Sequence, residues 1–316
     1  MKATEALELQ ADLLSRIQDF RVRASMREHL ILDTVGNKRA ARQTSEEIVA
    51  RLPSAVQTAD AFFVAADMSD LIVHSANVLD SSDIADHRLA PTRSGFAYFE
   101  KPLEIKDVRG STLLLNAILW QPMSGGLLVH MWNDQMRTPD EAAKDYARFL
   151  PEELARAVGR WGYIGIAEYR TDNMIGDPEV KVSEAVIVKY AERGIEPMPT
   201  TNPNRLFHAF WLLLQQKIVM TGLERGDRKL TKRLLRAGVP GEVTVIALRH
   251  VEYPEGEGEG QVYWRHRWIV RGFWRWQPYK DDAGEWARKR IWIDPYVKGP
   301  AGAPLKISKK VNAVVR

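Results

Sequence analysis

Residues 95–134, GFAYFEKPLEIKDVRGSTLLLNAILWQPMSGGLLVHMWND, hold three apolar runs of strand length with two turn-rich breaks between them. The runs are 95–105, 112–122 and 125–134. Gly, Asp, Ser and Pro crowd the intervening KDVRGS and QPMSGG, and these residues close turns rather than continue strands. Connections this short predict antiparallel pairing, because parallel neighbours need a crossover of about a dozen residues or more. A three-stranded meander is the expected centre of the fold.

On its N-terminal side the pattern is helical. Leu7, Ala11, Leu14, Ile17 and Phe20 recur at three- and four-residue spacing and predict one helix over the first thirty residues. TSEEIVARL predicts a second, with Thr44 as cap, Glu47 reaching back to it and Pro53 as its end. AFFVAADMSDLIVHSANVL, 61–79, has helical rather than alternating spacing and predicts a buried third helix.

On the C-terminal side, TPDEAAKDYARFL predicts a helix with Thr138 as cap, Pro139 at the first position and Glu141 at the third. Strands are expected at YIGIAEYR, 163–170, and SEAVIVKY, 183–190. GIEPMPTTNPNR, 194–205, holds three prolines and no periodicity, and marks the expected boundary. Beyond it LFHAFWLLLQQKIVM and DRKLTKRLLRAG predict a helix pair, the second closed by Gly238. Strand runs EVTVIALRHV, VYWRHRWIVRGFWRWQPY and RKRIWIDPYV follow, with the acidic EGEGEG loop after the first. The expected class is α+β: N-terminal helices and an antiparallel sheet, then a basic helix pair and a C-terminal β-hairpin module. The expected regions are 1–95, helical; 96–193, α+β and sharing its core; a linker at 194–204; and 205–316, a basic α+β module.

The chain of 316 residues is long enough to bury a sizeable core, and 27% charged with 45% hydrophobic residues is an ordinary globular balance. No basic head and apolar run open it, so no signal peptide is expected. Its longest apolar patch, LFHAFWLLL, is too short to cross a bilayer, so no membrane partner is expected. The absence of cysteine removes disulfides, thiolate metal sites and cysteine nucleophiles, and fits a cytoplasmic setting.

Charge is unevenly placed. Residues 205–316 carry 22 Lys/Arg against 11 Asp/Glu, while the preceding part carries 23 against 30. Such asymmetry points to a polyanionic partner for the last third, or to a match between the two parts. Within 262–279, read as one strand, side chains alternate faces. Trp264, His266, Trp268, Trp274 and Trp276 fall on one face, and Arg265, Arg267, Arg271 and Arg275 on the other. The arginine row could track phosphates, with Tyr263 and Phe273 on the same side to stack on bases. Arg228, Lys229, Lys232, Arg233 and Arg236, together with Arg225, extend the basic surface and leave Leu230, Leu234 and Leu235 to pack. The plainer reading is a Trp-lined core face with a solvated Arg face.

Other chemistry is sparsely signalled. None of the seven histidines (His29, His74, His87, His130, His208, His250, His266) falls in a metal-ligand spacing, so no metal site is expected. His266, on the Trp face, reads as a core residue. Glu104-Ile105-Lys106 and Glu179-Val180-Lys181 have the loose acidic-x-Lys form of metal-dependent nucleases. No phosphate-binding glycine loop, dinucleotide fingerprint or G-x-S-x-G occurs, and no cofactor is expected.

LAPTRSGFAYFEKPL, LLRAGVPGEVTVIALRH, HRWIVRGFWRWQPY and RIWIDPYVKGPAGAPLKISKKVNAVVR resemble segments of a group of hypothetical proteins of actinobacteria and their phages and plasmids. The resemblance runs from about residue 85 to the end. Where that group has H-W-R-x-Q, this chain has Phe273-Trp274-Arg275-Trp276-Gln277. The resemblance implies a phage or mobile-element setting and carries no activity. The leading expectation is a non-catalytic accessory protein binding DNA or RNA. An acidic protein partner and a metal-dependent nuclease or toxin are the alternatives.

Overall fold

The computed structural model describes residues 2–33, 38–137, 159–181, 187, 196–216, 219–248, 268–270, 273–280, 286–293 and 296–298. In chain order the first unit, 1–248, contains α1 (Glu5–Gln18), α2 (Phe20–Asp33), α3 (Lys38–Thr58), β1 (Asp60–Val64) and α4 (Ala66–Val78). There follow β2 (Gly95–Lys106), β3 (Thr112–Met123), β4 (Gly126–Asp134), β5 (Trp161–Arg170), β6 (Glu179–Val180) and β7 (Thr200–Thr201). The unit closes with α5 (Pro203–Leu214), β8 (Val219–Arg225), α6 (Arg228–Ala237) and β9 (Glu242–Leu248). Seven strands form one sheet in the order β5-β4-β3-β2-β1-β9-β8.

The meander is as expected: β2, β3, β4 and also β5 pair antiparallel. Gly125, at φ 78°, supplies the left-handed turn between β3 and β4. Gly95 lies opposite Trp120, and a Cβ there would stand 2.2 Å from the indole ring. Only glycine lets that indole lie across the strand.

The sheet is mixed rather than purely antiparallel, because β1 runs parallel to both β2 and β9. Here the expected helix over 61–79 is corrected: its first residues are β1 and only Ala66–Val78 is helical. Ala61, Phe62, Phe63 and Val64 are all buried, since a central strand covered on both faces reads as a continuous apolar run. Ala61 and Phe63 enter the core beneath α1 and α3, while Phe62 packs on Trp120, which meets Trp211 of α5.

Other expectations shift for local reasons. The single N-terminal helix is two, parted at Asp19, whose backbone is extended and whose carboxylate accepts the Arg21 N–H. Phe20 is consequently exposed instead of ending the apolar stripe. α3 begins before Thr44 and runs through Pro53, because buried Val49, Leu52, Ala55 and Val56 hold it against the core on both sides of that residue. Tertiary packing outweighs the lost N–H. The expected helix pair is separated by β8. α5 packs on α4 and α6 on α1, so the two helices have different partners. Ile187, the one described residue of the expected strand 183–190, is helical. The helix expected from Thr138, Pro139 and Glu141 lies outside the described residues.

The division between compact units falls after Leu248, not at 194–204. The proline-rich segment is bound into the first unit: Asn202 caps α5 and donates to the carbonyls of Ile175 and Asp177. α5 itself contributes Phe207, Phe210, Trp211 and Leu213 to the interior.

In the second unit, 249–316, β10 (Trp268–Val270) pairs antiparallel with β13 (Tyr296–Lys298), and β11 (Phe273–Lys280) with β12 (Trp286–Ile293). The chain is thus α+β with a C-terminal hairpin, as expected. No helix among the described residues is long and apolar enough to cross a membrane.

Candidate nucleic-acid interface

The register of the second unit tests the alternation proposed for 262–279. β10 with β13 and β11 with β12 form two separate two-stranded ladders, with Trp268 opposite Lys298 in one and Phe273 opposite Ile293 in the other. Within β11, Trp274 and Trp276 share one parity and Phe273 and Arg275 the other. Opposite residues of an antiparallel pair share a face. Trp276, Pro278 and Lys280 thus stand with Arg290, Arg288 and Trp286, while Arg275, Gln277 and Tyr279 stand with Ile291, Lys289 and Ala287.

The tryptophan face is not a core throughout. Trp292 is buried at 4% exposure, but Trp276 is 57% and Trp286 73% exposed. That is a correction to the expected division into a Trp core and an Arg surface. Two of the aromatic side chains on this face belong to its open end, and each carries a cation. The Arg290 guanidinium lies 5.4 Å from the Trp276 ring centre and Lys280 Nζ 5.6 Å from that of Trp286. On the other face Lys289 Nζ is 5.1 Å from the Tyr279 ring. Cations over ring faces at these distances gain from the ring quadrupole. Arg275 is exposed, as expected, and donates to Gln277 Oε1 at 2.5 Å.

Together β11 and β12 hold Arg275, Lys280, Arg288, Lys289 and Arg290, and neither strand contains Asp or Glu. The sequence reading missed the β12 cations and Lys280, because their faces are set by pairing across the hairpin. RKRIWI alone does not say which partner each residue meets.

In the first unit α6 carries the second basic surface. Asp227 caps it, accepting the Leu230 N–H at 2.7 Å, and Gly238 ends it in the left-handed conformation. Arg228, Lys229, Lys232, Arg233 and Arg236 are all exposed. Leu234 is buried and Leu230 half-buried, while Leu235 faces solvent, so one of the three leucines expected to pack does not. Arg233 pairs with Glu8 of α1 at 2.5 Å, and Arg225 with Glu242 at 2.6 Å. Of these two, the Arg233–Glu8 pair alone joins the acidic part to the basic one and matches a little of that asymmetry within the unit.

Arg265, Arg267, Arg271 and Tyr263 lie outside the described residues, as do His250 and His266. Phe273 is placed by register alone, opposite Ile293. The buried histidines have structural surroundings. His130 is stacked against Trp132 and sits 3.3 Å from the Tyr163 hydroxyl and 3.1 Å from Gln121 Nε2. Burial pulls its pKa down to about 3. His208 Nδ1 is 2.6 Å from the Tyr169 hydroxyl, which accepts the Asp86 N–H, and burial pushes the Tyr169 phenol up. The buried Asp134 carboxylate is held by Arg160 and by the Tyr98 hydroxyl, fastening β2, β4 and the start of β5.

The two acidic-x-Lys triplets, distant in sequence, meet at the end of β2, where Lys106 Nζ lies 3.7 Å from Glu179 Oε1. Both of these side chains are more than half exposed. Among the described residues no three His, Asp or Glu side chains gather as a metal site. Comparison with protein-family models, with curated proteins and with solved structures finds no match to this chain.

Proposed function

We propose that this chain is a non-catalytic nucleic-acid-binding protein whose C-terminal hairpin is the contact surface. One observation carries the reading: strands β11 and β12 bear five cations and no carboxylate, with exposed Trp276, Tyr279 and Trp286 each under one of them. Phosphates meet the cations, and bases meet the rings. Arg228, Lys229, Lys232 and Arg236 of α6 supply further phosphate contacts from the first unit. Arg265, Arg267, Arg271 and Tyr263, the other contacts expected from the sequence, lie outside the described residues.

Binding is read by fluorescence anisotropy of a labelled oligonucleotide over a salt series. If the five hairpin cations each meet a phosphate, the log–log slope for a single strand is roughly −3.5. Replacing Arg275, Arg288 and Arg290 by alanine together lowers that slope by about 2. An affinity unchanged by those substitutions, or insensitive to salt, removes the proposal.

The nuclease reading is favoured by the meeting of the two triplets at Lys106 and Glu179. The same oligonucleotide, incubated with Mg²⁺ or Mn²⁺, separates the two. It stays intact if the chain only binds. It is degraded by a nuclease, and spared when Glu179→Ala is introduced.

A further inference from the structure

We infer that the open end of the hairpin's tryptophan face takes single-stranded rather than duplex nucleic acid. The inference rests on the nucleic-acid reading above and narrows it to a substrate class. Trp276 and Trp286 stand on one face, at 57% and 73% exposure. Trp286 is paired with Lys280, four residues along β11 from Trp276, which sets the two backbone positions about 13 Å apart along the strand direction. Between them the same face carries Pro278 and, opposite it, Arg288. The order along the face is ring, cation, ring.

Each ring carries a cation over one face, Arg290 at Trp276 and Lys280 at Trp286, and a base takes that face by displacing the cation. A base laid on the ring brings its own phosphate close to that cation, so stacking and charge act on one nucleotide. Arg288 is placed for a phosphate between the two stacked bases. At the opposite end of the face Trp292 is buried, so the exposed rings belong to the end away from it.

Duplex bases have their π-faces covered by their neighbours, and stacking on a protein ring first requires that they be unstacked. A single strand offers those faces without that cost, and every base has one. The hairpin therefore favours strand state over base sequence. Phosphate contacts alone would favour the duplex, whose charge density is higher. The exposed rings reverse that preference.

The test uses the full chain with three probes: fluorescein-labelled oligothymidylate, a duplex of equal length, and heparin as a polyanion without bases. Oligothymidylate is expected to bind about tenfold more tightly than duplex and to quench tryptophan fluorescence. Trp276→Leu and Trp286→Leu are each expected to weaken oligothymidylate binding roughly tenfold and to leave heparin binding unchanged. Trp276→Phe, which keeps a ring, retains most of the affinity and shows that the hairpin tolerates substitution there. Equal affinity for single strand and duplex, or leucine variants that weaken heparin and oligothymidylate alike, overturns the single-strand inference while the polyanion reading stands. Failure to bind any of the three at low salt overturns both.

Discussion

Arg205 shows how one residue can hold a fold together. It is 2% exposed, and its guanidinium donates to the carbonyls of Ala76, Leu79 and Gly176. Ala76 and Leu79 are at the C-terminal end of α4, where helix carbonyls lack intrahelical partners and the dipole favours a cation. In sequence this arginine stood at the end of the proline-rich stretch and counted among the cations of the basic last third. Its burial depends on α5 packing against α4, which no local pattern announces. Arg205→Met should cost about 3 kcal/mol or more in urea unfolding, since buried carbonyls lose charged donors. Arg205→Lys should recover little, because an ammonium does not reproduce the guanidinium fork. A loss below about 1 kcal/mol would contradict this account. Gln10 plays a smaller version of the same part, donating from α1 to the carbonyls of Val56 and Ala59 at the end of α3.

At the scale of elements, β4 couples stability to pH through His130. The folded pKa is about 3 and the unfolded value about 6.5, so the native state holds this ring neutral. Its contribution is full above about pH 6.5 and is lost as pH falls towards 3, because only the unfolded chain takes up the proton there. The slope approaches about 1.4 kcal/mol per pH unit within that window. His130→Gln should remove it. The stability difference between native chain and variant, followed by urea midpoints from roughly pH 7 to pH 4, should move against the native chain as acid is added. Parallel curves would refute the assignment. β4 was legible as a strand from its apolar run, and so were β2, β3 and β5. β1 was not, since a strand buried on both faces loses the alternation that distinguishes it from a buried helix. The alternation along β11 was legible by parity, but which β12 residues share each face, and which tryptophans reach solvent, was not. Trp276 and Trp292 share a face and differ in burial because only one end of that face is covered.

For the whole molecule, the division after Leu248 makes a specific claim about truncation. A chain ending at residue 248 keeps β8 and β9 in the sheet and α5 in the core, and should unfold in one cooperative urea transition. A chain ending at residue 204 loses a strand that pairs with β1 and six buried aromatic or aliphatic residues of α5, and should not fold cooperatively. Equal behaviour of the two truncations would restore the boundary at the prolines. The 1–248 chain also lacks the hairpin, so its oligonucleotide affinity should fall to whatever α6 supplies. By itself the sequence determined the α+β class, the antiparallel meander, the start and stop of α6 and the alternation along β11. Each of these follows from spacing, turn residues or caps, which act over a few neighbouring positions. Only the tertiary structure decided that β1 is a strand between β2 and β9, that Arg205 is buried, that α6 packs on α1 through Arg233 and Glu8, and that Trp276 and Trp286 stand open beside cations. Those outcomes depend on which distant surfaces cover one another, and burial, unlike periodicity, belongs to the assembled pair rather than to either segment.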